Sequence, residues 1–172
     1  MKYNKNQLQK FRQSSLEFDE VLELASLAKE RFPKTILGLT PLNVKGFIRY
    51  YDNDDLLLHI QVTGKVTVPS SRSLAPVLRD IDMTFDERYI EDETRLTEFE
   101  ETEAVFVLES DTLDVDTAIL DNIVASLPLQ ILTAEEKASD TLPSGNDWHV
   151  ISEETFENEK KAKKEAQLDP RL

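Results

Sequence analysis

Ser70, Ser71, Arg72 and Ser73 stand in an unbroken run, and three hydroxyls beside a guanidinium at a turn can cradle a phosphate. Lys2, Lys5, Lys10 and Arg12 crowd the start of the chain, and with Arg49 they belong to an opening segment, residues 1–49, of formal charge +4. Such a segment can meet nucleic-acid phosphates, the contacts that dominate nucleic-acid affinity. The opposite chemistry lies between Asp80 and Asp121, where sixteen acidic side chains face Arg88 and Arg95. That stretch alone accounts for the formal charge of −14 on the 172-residue chain. Asp86, Glu87, Glu91, Asp92, Glu98, Glu100, Glu101 and Glu103 are its densest part; a surface of that sign repels RNA and attracts a basic protein. A solvated acidic loop that only aids solubility fits the same residues. Trp148, the one tryptophan, has a polar setting, where an indole can stack on a base, pack onto a partner or anchor its own segment.

Catalysis finds little support in the same sequence. His59 and His149 are far apart, and the four glycines form neither a phosphate-binding loop nor a dinucleotide fingerprint. Carboxylates are plentiful, but a loop gives them neither the burial nor the fixed geometry that acid–base work requires. The acids from Asp86 to Asp92 do not match the spacing of a calcium loop. The absence of cysteine excludes disulfides and thiolate metal sites. The expectation is therefore a protein without enzymatic activity, cofactor, bound metal or small-molecule substrate. No apolar run approaches the roughly 20 residues that span a bilayer, and the opening MKYNKNQLQKFRQ lacks the apolar core of a secretory signal. Both point to a cytoplasmic protein that binds no membrane.

The elements that must position these groups are organised around Leu56–Leu74. Leu56, Leu58, Ile60, Val62, Val66 and Val68 alternate with His59, Gln61, Thr63, Lys65 and Thr67, the period of a strand with one buried face. Gly64 interrupts the series and predicts a bulge or bend, and Pro69 ends it. Val44–Tyr51 predicts a second strand, joined to the first through the turn Asp52–Asp55. Val77–Phe85 predicts a third, and Ala104–Leu108 a short apolar fourth.

Helices are expected at Lys5–Arg12, at Leu16–Phe32 with Ser14 or Ser15 as cap, and at Asp114–Leu127, where Asp114 or Asp116 caps an apolar stripe. An extended conformation over Phe18–Val21 is the alternative within the second. Asp86–Glu103 reads as a long acidic loop. The sum is an α+β domain over residues 1–132, made of a basic helical segment 1–33 and a sheet with its capping helix over 34–132. The sheet is expected to be antiparallel and strongly curved or barrel-like. Residues 133–172 read as a mobile linker and charged tail.

Three landmarks carry a resemblance. The strand ending in Ser70-Ser71-Arg72-Ser73-Leu74 resembles a motif of the YceD family, the large ribosomal RNA subunit accumulation proteins, in which the strand runs into Cys-x-Arg-Cys-Leu. Arg72 and Leu74 match, and serines replace both cysteines. Asp114-Val115-Asp116 and the helix ending Leu127-Pro128-Leu129 resemble the family's second landmark, with Asp121 nearest to a helix glutamate found there. Leu168-Asp169-Pro170-Arg171-Leu172 resembles its Asp-Pro-Arg box, which usually runs on into a short leucine-bearing helix, so the chain reads as short or truncated. NQLQKFRQ and Asn146-Asp147-Trp148 resemble Gram-positive members.

The resemblance implies a non-enzymatic factor in the accumulation, processing or assembly of large-subunit ribosomal RNA. On that view Lys2, Lys5, Lys10, Arg12, Arg49 and Arg72 meet RNA, while the acidic stretch and Trp148 meet a basic ribosomal protein. The alternative is an acidic adaptor that shields a basic ribosomal protein and never touches RNA. For the serine turn, a structural role in which serines stand in for small cysteines is open beside the phosphate cradle.

Overall fold

The computed structural model describes residues 1–138 together with Phe156 and Lys160. In chain order the regular elements are β1 (Lys2–Asn4), α1 (Lys5–Leu8), β2 (Ser15–Leu22), α2 (Ala25–Arg31), β3 (Gly38–Leu39), β4 (Leu42–Tyr50), β5 (Leu56–Pro69), β6 (Pro76–Ile90), β7 (Val105–Val107), β8 (Thr112–Asp114), α3 (Val115–Ala125) and α4 (Ala134–Ala138). The chain divides into two compact units, Met1–Ile131 and Leu132–Leu172. In the second, α4 starts on a reciprocal cap in which Glu136 N–H donates to Thr133 Oγ1 and Thr133 N–H to Glu136 Oε2. The expected linker thus opens with α4; apart from Phe156 and Lys160, the rest of it, the charged tail, Trp148 and the Asp169-Pro170-Arg171 box lie outside the described residues.

The central strand is where its alternation places it. Leu56, Leu58, Ile60, Val62, Val66 and Val68 are all buried, and β5 is flanked by β4 and β6 in the order β2-β4-β5-β6-β7, with β3 also pairing β5. The hairpin register runs from Asn43↔Thr63 to Tyr50↔Leu56, closed by the turn Asp52–Asp54. Each fully buried leucine or isoleucine here contributes roughly 1.5–3 kcal/mol, which ties the register to one face.

Gly64 makes no bulge in β5, since it pairs with Ile81 in unbroken register. The irregularity is on the opposite side. Leu39 pairs with Val66 while Asn43 pairs with Thr63, so Thr40, Pro41 and Leu42 pass over Gly64 and Lys65 with one residue to spare. A side chain at 64 would meet the Leu42 Cδ2 carbon at 2.6 Å; the glycine makes room for the crossing chain.

Four further expectations need correction. The helix over Leu16–Phe32 is a strand followed by a short helix: β2 pairs with β4 from Ser15↔Arg49 to Leu22↔Leu42, and α2 occupies Ala25–Arg31. Pairing with the exposed side of β4 outweighs a helical spacing that an edge strand, with Val21 exposed, also produces. The sheet is open and does not close into a barrel, with β2 and β7 at its two ends. It is also not wholly antiparallel, because β7 lies parallel to β6.

The fourth correction concerns the acidic stretch. Asp86–Ile90 prolongs β6, and Glu93–Glu98 forms a 3-10 helix capped by Asp92, which accepts from Thr94 N–H at 2.9 Å. Arg95 then reaches the buried Asp55 with two hydrogen bonds of 2.6 and 3.1 Å, pinning the segment to the turn between β4 and β5. A buried carboxylate gains its bidentate guanidinium this way.

The helix α3 begins on Asp114, whose carboxylate accepts from Thr117 N–H and Thr117 Oγ1. Ala118, Ile119, Leu120 and Ile123 enter the same core as the inner face of β5, as the apolar stripe requires. The short pair β1–β8 brings Lys2 beside Asp114.

Candidate nucleic-acid interface

The pairing register places the outward side chains of four strands in rows. Ser15, Arg49, Leu57 and Arg88 form one row, and Glu17, Phe47, His59 and Asp86 the next. Phe47 and His59 face each other across the hairpin, where cross-strand neighbours lie close enough to touch. Their rings stack with centroids 5.0 Å apart and planes 20° from parallel. Asp86 bonds to His59 Nδ1 at 2.7 Å and fixes the imidazole.

From that pair a chain of rings and guanidinia crosses the end of the sheet. Arg49 stands 5.6 Å from the Phe47 centroid and 5.9 Å from that of Tyr51. Arg88 lies between Tyr51 and Phe99, at 4.6 and 5.2 Å, and Arg95 is 5.9 Å from Phe99. Each spacing is within the range of cation–π attraction. Arg95 is neutralised by Asp55 and Glu98. Arg49 and Arg88 have no carboxylate partner among the described residues. Tyr51 remains 43% exposed and Arg49 is exposed.

The basic residues of the opening segment do not gather here. Lys2 pairs with Asp114 at 2.9 Å, Lys5 with Glu91, and Arg12 with Asp54 at 2.9 Å while covering the Tyr50 ring at 5.1 Å. The Asp114 bond and charge raise the Lys2 ammonium above its ordinary pKa, and the Glu91 bond does the same for Lys5. Lys10 is exposed at the end of the first helical segment. Of the basic residues the sequence singles out, Arg49 is the one that joins the aromatic row.

The serine turn is a hydrogen-bonded network. Ser70 is fully buried, and its Oγ accepts from Arg72 N–H at 3.1 Å and Ser73 N–H at 3.3 Å. Ser73 Oγ accepts from Ala75 N–H. Ser71 ties the turn to the chain after α3, donating through its N–H to Ile131 O at 2.7 Å and accepting at Oγ from Ile131 N–H at 2.9 Å. These bonds occupy the backbone donors that a bound phosphate would need. Arg72 is half-buried, and Leu74 is 72% exposed with a left-handed φ of 62°, a backbone cost for a bulky residue.

The acidic candidates separate as sharply. Glu87 does not belong to an acidic surface: it is 5% exposed, pointing inward from β6 to accept from Asn122 Nδ2 at 2.6 Å and Tyr89 OH at 2.5 Å. Burial first, and then Glu87, push the Tyr89 phenol well above its usual pKa. Both line a cleft of about 230 Å³ with Asp114 and Asp121, and Arg31 holds Asp121 through two bonds. Asp86, Glu91, Asp92 and Glu98 are engaged with His59, Lys5, Thr94 and Arg95. Glu100, Glu101 and Glu103 are exposed. No cluster among the described residues has the make-up of a metal site, and no described helix is long and apolar enough to cross a membrane.

Sequence reasoning missed Phe47, Tyr51, His59, Arg88 and Phe99 as a group. A signal was available: the turn at Asp52–Asp55 fixes the hairpin register, and that register sets Phe47 opposite His59 and Arg49 opposite Leu57.

Comparison with known proteins adds an independent line. The family model described as "Large ribosomal RNA subunit accumulation protein YceD" matches residues 58–172. The "Uncharacterized protein YlbN" of Bacillus subtilis (strain 168) is 31% identical over 173 residues, covering all of this chain and 92% of the relative. No solved structure gives a significant match.

Proposed function

The chain belongs to the YceD family of large ribosomal RNA subunit accumulation proteins, and from that premise we propose that it is a non-enzymatic factor that contacts large-subunit ribosomal RNA or its precursor particle. The family description connects it with large-subunit ribosomal RNA in general terms. One observation carries it: Arg49 and Arg88 stand on the outward side of an open sheet without carboxylate partners among the described residues, interleaved with aromatic rings. In a chain of charge −14, two uncompensated guanidinia flanking one leucine are poorly explained by stability and well explained by an anionic ligand. Sedimentation of the tagged protein from growing-cell extract tests the reading. Comigration with large-subunit precursor RNA that ribonuclease abolishes is expected, and protein that stays at the top of the gradient without ribonuclease refutes stable particle binding.

A second reading rests on Glu100, Glu101 and Glu103, exposed beyond the 3-10 segment with no ion-pair partner among the described residues. They suit a basic ribosomal protein. Changing Glu98, Glu100, Glu101 and Glu103 to glutamine should then abolish capture of such a protein from a nuclease-treated mixture. Undiminished capture removes this reading.

A further inference from the structure

We propose that the ring-and-guanidinium row on the outward face of β4–β6 is a stacking site for unpaired RNA, a reading that rests on the RNA contact proposed above and names its ligand. Bases would stack on the Phe47–His59 pair and on Tyr51, and the strand's phosphates would meet Arg49 and Arg88.

Three features select single-stranded RNA over other anions. The rings supply flat apolar faces, and every base has a π-face to match, so stacking recognises unpaired bases without reading their sequence. Arg49 and Arg88 sit on either side of Leu57, two strand spacings or about 10 Å apart, and so offer two separate phosphate contacts. An acidic peptide would use the guanidinia and leave the rings idle, whereas a duplex hides its base faces. The exposure of Tyr51, 43%, also separates this row from an internal lock, which would bury its rings. Glu17 and Asp86 flank the second row and repel phosphates beyond the two arginines. Affinity therefore has to come from stacking as well as charge.

The test measures fluorescence anisotropy of the full chain with three labelled probes: a 12-nucleotide oligouridylate, a 12-base-pair RNA duplex and a 12-residue polyglutamate. The oligouridylate should bind at least tenfold more tightly than the duplex at 50 mM salt. Tyr51→Ala should weaken it by on the order of tenfold. Phe106→Ala, which changes an exposed aromatic away from the row, should have no effect. Two neutralised phosphates on a single strand predict a slope of log affinity against log salt near −1.4, and Arg49→Gln or Arg88→Gln should each reduce its magnitude by about 0.7.

Tyr51→Ala affects a partly exposed turn residue, and a circular dichroism melt confirms that each variant folds. Equal binding of strand and duplex, no loss with Tyr51→Ala, or polyglutamate binding as tight as oligouridylate overturns the proposal. Failure here is separable from failure of the broader reading. If wild-type protein comigrates with precursor RNA and the double variant Tyr51→Ala/Arg88→Gln comigrates equally well, the factor binds RNA elsewhere and this site is wrong.

Discussion

Replacing Gly46 with alanine is expected to cost about 3–5 kcal/mol, far more than the same change at the other described glycines. Gly46 lies on the inner side of β4, paired with Phe18 of β2 and Ile60 of β5. A methyl group there would approach the His59 carbonyl oxygen closer than the 3.0 Å that real Cβ atoms keep, with two Phe18 ring carbons at 3.0 and 3.1 Å. The carbonyl cannot rotate away, because β5 is held by β4 on one side and by β6 along its whole length on the other. Relief requires β4 and β5 to part locally. That sacrifices about two ladder hydrogen bonds at roughly 1 kcal/mol each and adds overpacking strain of about 1–3 kcal/mol.

Gly64 meets the end of the Leu42 side chain at 2.6 Å, which a rotamer shift can relieve for about 1–2 kcal/mol. Gly38 has its nearest neighbour at 3.5 Å; alanine there should be neutral or slightly stabilising, since it restricts the unfolded chain. Urea unfolding followed by circular dichroism gives the three costs under one protocol. A cost below about 1 kcal/mol at Gly46, or a larger cost at Gly38 than at Gly46, refutes the claim that β4 and β5 are packed to backbone contact beneath Phe47 and His59.

The remaining predictions concern the carboxylates. Asn122→Ala removes one of the two donors to buried Glu87 and should destabilise the protein by about 1.5–3 kcal/mol; a change under 0.5 kcal/mol in urea would show that Glu87 is satisfied without it. Burial alone would raise the Asp114 carboxyl, but Lys2 and Thr117 outweigh it and hold the group below its ordinary 3.8. A lowered carboxylate contributes stability that is fully present above the unfolded value and is lost as pH falls through the folded one. Asp114→Asn, which keeps a capping side chain, should therefore be less stable than the wild type at pH 6, with the difference shrinking below pH 3.8; a gap in urea midpoint that stays constant down to pH 2 contradicts the assignment.

The central strand was legible because its six apolar residues on alternate positions admit one burial pattern, and the adjacent turn signal at Asp52–Asp55 fixed its partner. The segment Leu16–Leu22 was not, for a physical reason. Phe18, Val21 and Leu22 satisfy a helical spacing, while Leu16, Phe18 and Leu22 satisfy an edge strand whose outer residues are exposed. What decides between them is pairing with β4, which runs from Leu22↔Leu42 to Ser15↔Arg49 and so lies far outside any local window. In β6 the alternation of Ile81, Met83 and Phe85 with Asp80 and Asp82 made the strand legible as far as Phe85, while from Asp86 on the density of acids gave the composition of a loop. Inward Glu87 broke the pattern, and its compensation comes from Asn122 on α3, which no local window contains. The serine turn was legible as a turn, but the use of Ser70 Oγ as an internal acceptor depends on its burial.

Charge read along the sequence points to the opening segment as a surface for RNA, and the structure pairs three of its cations with carboxylates. The cations of the opening segment looked available because their partners lie far away in sequence: Asp114 for Lys2, Glu91 for Lys5 and Asp54 for Arg12. Folding spends them on fixing the N-terminal segment to the domain. Arg49 and Arg88 differ because their partners across the sheet, Ser15, Leu57 and Val105, are uncharged, and aromatic rings stand beside them. At physiological salt the Debye length is about 8 Å, so the acids farther along β6 are largely screened from these two guanidinia, while Glu17 and Asp86 are not. A local site of this kind would bind a duplex weakly, since few phosphates can be neutralised before repulsion sets in. It would gain most from a strand whose bases can leave their own stack and settle on Phe47, His59 and Tyr51. With RNA bound at the proposed site, the negative charge of the chain would restrict binding to that place and would suppress non-specific attachment to duplex RNA.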